Sequence, residues 1–534
     1  MLVHDFLSAS AARTPTSTAL VCGKRRASYA EIDRKANQLA RALVAAGVGR
    51  GQRVVIQERN SISAVIAIFG VLKAGAVAVP LHPATRARKL AIIVHDCAAV
   101  ALIGGSAALR GAGSLFSGSA TLRVVVSTLG DDDPAAQCAD LTFERVFRAY
   151  DDSDVRVPLT DSDLAFLIYT SERSGDPKGV VCGHENVVAA ADATAAQLEI
   201  TARDIVINVV AFCFDYGLYQ LLTAFRCGAT LVIQDAFGQA AAILRAIERE
   251  RVTGFPLVPP LLSVLLELDL HAFDLGSLRY IVSSAAPLPA GHSLALRHRL
   301  PHVKVYSMYG TAECGPALCL PPEKLQHRPG SVGIPVPGTE AWLESDDGTR
   351  PPAGVAGELV IRGANVMRGY WADAALSSRF FRPGPTPGEI QLHTGDLFCQ
   401  DEQGMFHFVA RAADTIASAA VNVAPREIEA IINELSAVRE CAVVGVPDPV
   451  RGQAIKACLV RGDPALTDLQ VLRHCRTQLE SFNVPRFVEF VESLPKHPGG
   501  AIDRRGLTSA RVAASTALPP RVLFPAGVKA RRGF

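Results

Sequence analysis

The stretch Leu164–Val181, LAFLIYTSERSGDPKGVV, carries the residue types that a polyphosphate needs. Two apolar runs, Leu164–Tyr169 and Gly179–Cys182, flank a polar loop, Thr170–Lys178. The loop supplies hydroxyls from Thr170, Ser171 and Ser174, a flexible backbone at Gly175, and the Lys178 ammonium. Hydroxyls, closely approaching backbone N–H groups and an ammonium together suit an anion. The flanking runs read as short buried strands. Strand, loop, strand is the wrong context for a Walker A loop, and the Walker spacing is absent. Taken alone, the stretch is equally well a surface hairpin turn.

The whole chain narrows the choice. Its 534 residues exceed one ordinary core, so two or more domains are expected. Hydrophobic content of 49% with 20% charged residues describes a globular protein, and a net charge of +2 gives no electrostatic case for nucleic acid. The N-terminal stretch lacks a basic cluster followed by an apolar core, so no secretory signal is expected. The longest apolar stretch, Ala64–Leu81, is broken by Lys73, Gly70, Gly75 and Pro80 and makes a poor membrane span. Twelve scattered cysteines without a CxxC pair suit free thiols in a reducing cytosol, and no metal cage is suggested.

The elements that would position the loop read as α/β. Residues 28–46 place Ile32, Ala36, Leu39 and Leu43 at helical spacing, with Ser28 as cap and Glu31 three residues on. Arg53–Glu58 reads as a strand, Ala64–Ala74 as a helix ended by Gly75, and Val77–Pro80 as the next strand, which predicts mainly parallel pairing. Residues 98–160 read as a Gly/Ala/Ser-rich surface region with one strand, Leu122–Ser127. His184-Glu185-Asn186 opens an alanine-rich helix to about Leu198. In residues 209–233, Asp215 is either a helix cap or a buried carboxylate, which would be costly without a cation.

These segments resemble the AMP-forming, adenylate-making superfamily, which includes acyl-CoA synthetases, luciferases and the adenylation domains of peptide synthetases. The phosphate loop matches its YTSGSTGxPKGV pattern at Tyr169, Thr170, Ser171, Gly175, Pro177, Lys178, Gly179 and Val180. VLKAGAVAVPLHP resembles a structural segment of its core. The resemblance makes Phe214, Asp215, Tyr216, Tyr219 and Gln220 carboxylate-pocket walls, with Asp215 where amino-acid-activating members hold the α-amino group. YIVSSAAPL matches the adenine-contact turn at Ser284, Ala286, Pro287 and Leu288. VKVYSMYGTAE resembles YGxTE at Tyr309, Gly310 and Glu313, implying that Tyr309 stacks on adenine, that Gly310 and Thr311 belong to the nucleotide site and that Glu313 holds Mg²⁺ through ATP. Ala312 replaces the threonine, with Thr311 one place early. HTGD, residues 393–396, implies that Asp396 binds the ribose. Residues 328–344 and 357–371 are also characteristic.

The implied architecture is a large N-terminal domain, residues 1–408, of α/β subdomains with parallel-rich sheets. A small mobile α+β domain, 409–507, and a disordered basic tail, 508–534, follow. In the small domain Arg411, Asp414 and Ile416 match the opening pattern, Pro425–Leu435 is an amphipathic helix, Glu440–Pro447 and Lys456–Arg461 are strands, and Asp468–Leu479 is a helix. Departures accompany the matches. Glu172 stands for a loop glycine, Arg173 and Ser174 differ, Ala413 replaces the hinge aspartate, Ala417 and Ala420 a lysine and a glycine, and Ala501 the catalytic lysine. The resemblance implies ATP-dependent activation of a small carboxylic acid as acyl-AMP, then transfer to coenzyme A or a carrier protein's phosphopantetheine. Two other readings stay open: a stand-alone, proline-type amino-acid-activating enzyme loading a carrier protein, and a catalytically impaired or non-catalytic homologue.

Overall fold

The computed structural model describes residues 1–110, 121–155, 157–170, 177–234, 240–284, 288, 290–411, 416–418, 421–423, 425–448, 452–495, 502 and 504–509. The large domain begins with two helices whose fit follows from side-chain size. Ser28 accepts a hydrogen bond from the Glu31 N–H at 3.2 Å and starts the helix Tyr29–Ala45. Its stripe of Ile32, Ala36, Leu39 and Leu43 is fully buried, the expected outcome for apolar residues at helical spacing. The stripe packs on the helix Ile62–Lys73, capped by Ser61. A Cβ on Gly70 would lie 2.8 Å from Leu39 Cδ2, so the small residue sets the approach of the two helices. Lys73 is buried, and its ammonium meets Asp33 at 2.9 Å, Asp154 at 3.6 Å and the Ser8 hydroxyl at 2.7 Å.

Among the described residues the strands form three sheets. In the seven-stranded sheet, Arg53–Gln57, Val77–Leu81, Ala101–Gly104, Val124–Ser127, Leu141–Thr142 and Leu164–Thr170 run parallel, and Lys178–Gly183 closes the edge antiparallel to Leu164–Thr170. The 14-stranded sheet is parallel through Thr18–Cys22, Thr230–Ile233, Ile205–Asn208, Gly254–Leu257, Tyr280–Ser283 and Lys304–Thr311. It becomes antiparallel from Gly315–Leu320 onward. A five-stranded sheet with the helices Pro425–Ile432 and Asp468–Gln478 makes the small C-terminal domain.

Residues 98–160 hold more structure than one strand. Ala101–Gly104 and Leu141–Thr142 are also strands, and Phe143–Ala149 is a helix with Phe143 and Val146 buried. The four-residue run ALIG is too short to show a period, so its fully buried strand carries no alternating signature. Among the described residues no helix is long and apolar enough to cross a membrane, and no group of His, Cys, Asp and Glu side chains is arranged to hold a metal by itself.

Candidate active site

Two hairpins present the polar residues. In the first, Tyr169 pairs with Gly179 and Thr170 with Lys178. A Cβ on Gly179 would lie 3.2 Å from the Tyr169 ring, so the hairpin closes tightly there. Burial and the neighbouring Cys97 hold the Tyr169 phenol protonated, and its hydroxyl donates to Asp96. Residues Ser171, Glu172, Arg173, Ser174 and Gly175 lie outside the described residues, as do Ala286, Pro287, Ala413, Ala420 and Ala501. The second hairpin pairs Lys304–Thr311 with Gly315–Leu320, with an irregularity between Tyr309 and Gly310. There a Cβ on Gly310 would lie 2.3 Å from the Gly315 carbonyl oxygen. Only glycine permits that approach, which carries the chain from Tyr309 into the turn bearing Glu313.

The buried acidic groups are held by phenols. Glu313 is 2% exposed, and Tyr370 donates to its Oε1 at 2.5 Å. Asp396 is 6% exposed, and Tyr309 donates to its Oδ2 at 2.8 Å. Asp396 sits on Ile390–Gln400 directly across from Arg411 on Phe406–Arg411. The turn before Asp396 is fixed by Glu358, which accepts from the Gly395 N–H at 2.8 Å and faces His393 Nδ1 at 3.3 Å. Burial opposes ionisation of Glu358, yet these bonds hold its carboxyl below the usual range.

One cavity, about 1490 Å³ counting the part open to solvent, opens between the two hairpins, while Lys178, Tyr309, Glu313, Tyr370 and Asp396 lie outside its wall. Its walls include Thr170, Gly310 and Thr311 from the hairpins and Phe214, Asp215, Tyr216, Tyr219 and Gln220 from the following segment. Phe214 caps the helix Asp215–Cys227, and Asp215 is the first helical residue, so Asp215 is a wall and not the cap. The loop before it is braced by amides: Asn60 donates to the Val210 carbonyl at 2.8 Å, and Asn208 donates to the Gly217 carbonyl at 2.9 Å. The Tyr216 hydroxyl reaches the Val282 carbonyl at 2.9 Å and the Leu257 carbonyl at 3.2 Å, which anchors the helix to the strand ends. Burial pushes the wall thiol Cys213 up to about 12, and likewise Cys314, which precedes the wall residue Gly315 in the chain. Both stay protonated near neutrality and are poor nucleophiles. His184 lies apart from the cavity: its Nδ1 accepts from the Val3 N–H at 3.0 Å, and burial lowers it to about 4.

Several partners of the candidate residues were not named from the sequence. Lys178 forms an ion pair with Asp373 at 3.0 Å, and Tyr370 holds Glu313. Asp373 was not singled out in the sequence; its carboxylate also caps a helix, accepting from the Leu376 N–H at the start of Ala374–Phe380. The small domain completes the cavity with Glu480, Phe482 and Asn483. Phe482 meets His82 with ring centroids 5.2 Å apart and Phe214 at 6.4 Å. Lys89 of the large domain meets Glu427 at 2.8 Å and Glu480 at 3.5 Å. Burial works against the Lys89 ammonium, but the two carboxylates outweigh it and hold its pKa above the ordinary value. Arg88 pairs with Glu434, and Arg86 donates to the Arg476 carbonyl at 3.1 Å.

A large α/β domain with a small C-terminal domain over its cleft is the architecture of adenylate-forming enzymes. Residues 7–371 match the model of the AMP-binding enzyme family, and residues 427–501 match that of the AMP-binding enzyme C-terminal domain. The chain belongs to this family. It is 30% identical over 507 residues to a long-chain-fatty-acid–CoA ligase of Salmonella typhimurium, covering 89% of each chain. It is 31% identical over 494 residues to a feruloyl-CoA synthase of an Amycolatopsis species, covering 92% of this chain and 95% of the relative. Among solved structures it resembles the amide bond synthetase McbA from Marinactinospora thermotolerans, with a TM-score of 0.84 and 29% identity over 95% of this chain and 99% of that one.

Proposed function

We propose that this chain is an AMP-forming acid–thiol ligase. A carboxylate oxygen of a small acid attacks the α-phosphorus of ATP, and pyrophosphate leaves with the electron pair of the broken P–O bond. The sulfur of coenzyme A or of a carrier protein's phosphopantetheine then attacks the acyl carbon, loses its proton, and AMP leaves. One observation carries this reading: a single cavity is walled both by Thr170, Gly310 and Thr311 and by Phe214, Asp215, Tyr216 and Tyr219. The names of the fatty-acid and feruloyl relatives support an acid–CoA ligase.

In this reading the protein positions two anions and neutralises charge as it moves. Thr170, Ser171, Ser174, Gly175 and Lys178 cradle the phosphates. Ala286, Pro287, Tyr309 and Gly310 hold adenine, and Asp396 with Arg411 holds the ribose. Glu313 suits Mg²⁺, being a hard carboxylate oxygen ligand already oriented by Tyr370; the bound ion would neutralise phosphate charge. Residues 1–408 would form the nucleotide- and acid-binding unit, 409–507 the mobile domain and 508–534 a tail.

The adenylation step is inferred to be slow. Ala501 removes one preorganised cation, and loss of one such donor costs about 10²–10³ in rate. Glu172, where the family has a loop glycine, adds a negative charge to the segment assigned to the triphosphate, and the neighbouring Arg173 would offset it or supply a phosphate contact. Asp215 in the cavity wall keeps an amino-acid substrate as the second reading. Pyrophosphate release with fatty, aromatic and amino acids separates the two. The non-catalytic reading wins if no acid supports ATP–pyrophosphate exchange until Ala501→Lys and Glu172→Gly are introduced together.

A further inference from the structure

The residues 368–373 run as a strap along the strand Lys178–Gly183. The Val181 N–H donates to the Gly369 carbonyl at 2.9 Å, the Arg368 N–H to the Val181 carbonyl at 3.0 Å, and the Trp371 N–H to the Gly179 carbonyl at 2.7 Å. The Trp371 indole donates to the Asp96 carbonyl at 3.1 Å, which fixes the strap from a second side. At its end Ala372 has φ +51°, a left-handed conformation that alanine adopts only at a cost. That turn delivers Asp373 to the Lys178 ammonium at 3.0 Å. Two residues of one strap, Tyr370 and Asp373, therefore contact Glu313 and Lys178, the groups assigned to Mg²⁺ and to the phosphates.

We propose that Asp373 is a positioning residue that serves as an exchangeable counter-ion for Lys178, holding the ammonium at the phosphate loop's exit and competing with the nucleotide's phosphates for it. This rests on the assignment of Lys178 to the phosphates. Without nucleotide, the ion pair keeps a long flexible side chain in one place. With nucleotide, the Asp373 carboxylate either gives up the ammonium or stays as a negative charge beside the phosphates. Both outcomes oppose binding, and both favour departure of pyrophosphate, because the carboxylate recaptures the ammonium as the anion leaves. The pair is about a quarter exposed on each side, so its effect is modest and screened by salt.

The test uses the full chain and calorimetric titration with ATP, pyrophosphate and adenosine. Asp373→Asn keeps a good helix cap and removes the charge; Asp373→Ser does the same if the first variant fails to fold. The expected result is about two- to fivefold tighter binding of ATP and of pyrophosphate, with adenosine unchanged and the gain reduced at high salt. In a Lys178→Ala background the gain disappears. If Lys178→Ala leaves ATP affinity unaltered, the assignment of Lys178 falls and the proposal with it. If Lys178→Ala weakens ATP but Asp373→Asn does not tighten it, the counter-ion role alone is overturned. Weaker binding of Mg-ATP with unchanged metal-free ATP would overturn it too, making Asp373 a metal ligand.

Discussion

The buried acidic floor of the large domain and the mouth of the cavity between the domains are built in opposite ways. At the floor, behind the cavity wall, Glu313 and Asp396 are almost completely buried, each carboxylate accepts from a tyrosine, and all four residues belong to the large domain. At the mouth, closure depends on contacts between domains: Lys89 with Glu427 and Glu480, Arg88 with Glu434, Arg86 with two carbonyls, and Phe482 against His82 and Phe214. The first arrangement is preorganised, since its groups are fixed before a ligand arrives. The second is separable, since most of its ion pairs are partly exposed and its few edge-to-face rings can be exchanged for water at small cost, with Glu480, 3% exposed and held by Lys89, as the exception. A rigid floor and a dissociable cover suit an enzyme that must admit ATP and an acid and later release AMP.

The sharpest way to break this comparison is at the mouth. Lys89→Ala leaves Glu480, 3% exposed, without its cation in the docked arrangement. An unpaired buried carboxylate costs about 3–5 kcal/mol, more than the docking contacts provide, so the small domain should swing away. Small-angle scattering should show a larger radius of gyration, reversed by Lys89→Arg. At the floor, Asp396→Ala removes a charged acceptor worth about 1.5–3 kcal/mol, and calorimetry should show ATP binding weaker by about 10–100-fold with no change in scattering. Tyr309→Phe keeps the ring but deletes the hydroxyl that holds Asp396. One hydrogen bond of about 1 kcal/mol should appear as about fivefold weaker ATP binding. Arg88→Ala should be mildest: its half-exposed pair with Glu434 is worth under about 1 kcal/mol, with a slight salt-dependent opening in scattering.

The sequence made one region far more legible than the other. The helices Tyr29–Ala45 and Ile62–Lys73 were readable because a cap and a 3.6-residue period are local signals. The hairpin around the phosphate loop was readable for the same reason, as two short apolar runs that turned out to pair from Leu164↔Gly183 to Thr170↔Lys178. Asp215 could be read as cap or wall from sequence, and only the placement of Phe214 at the cap position resolved it. The mouth was not legible. Lys89 and Glu427 lie 338 residues apart, and nothing local in ATRARKL or PREIEAII announces the other. Asp373 was not singled out at all, because nothing local in its surroundings points to Lys178, 195 positions earlier in the chain. In residues 98–160 the short strands Ala101–Gly104 and Leu141–Thr142 were missed because two to four residues are too few to express a period.

The most direct test of the account is acid-dependent exchange of labelled pyrophosphate into ATP, measured across fatty, aromatic and amino acids for the natural chain and for Glu313→Gln. The account predicts slow exchange with at least one acid, reduced by about 10²–10³ in Glu313→Gln as expected for loss of an electrostatic stabiliser, with the variant still folded. Exchange that is fast and indifferent to Glu313→Gln would contradict the site. No exchange with any acid, in a chain that also fails to bind ATP, would contradict the function.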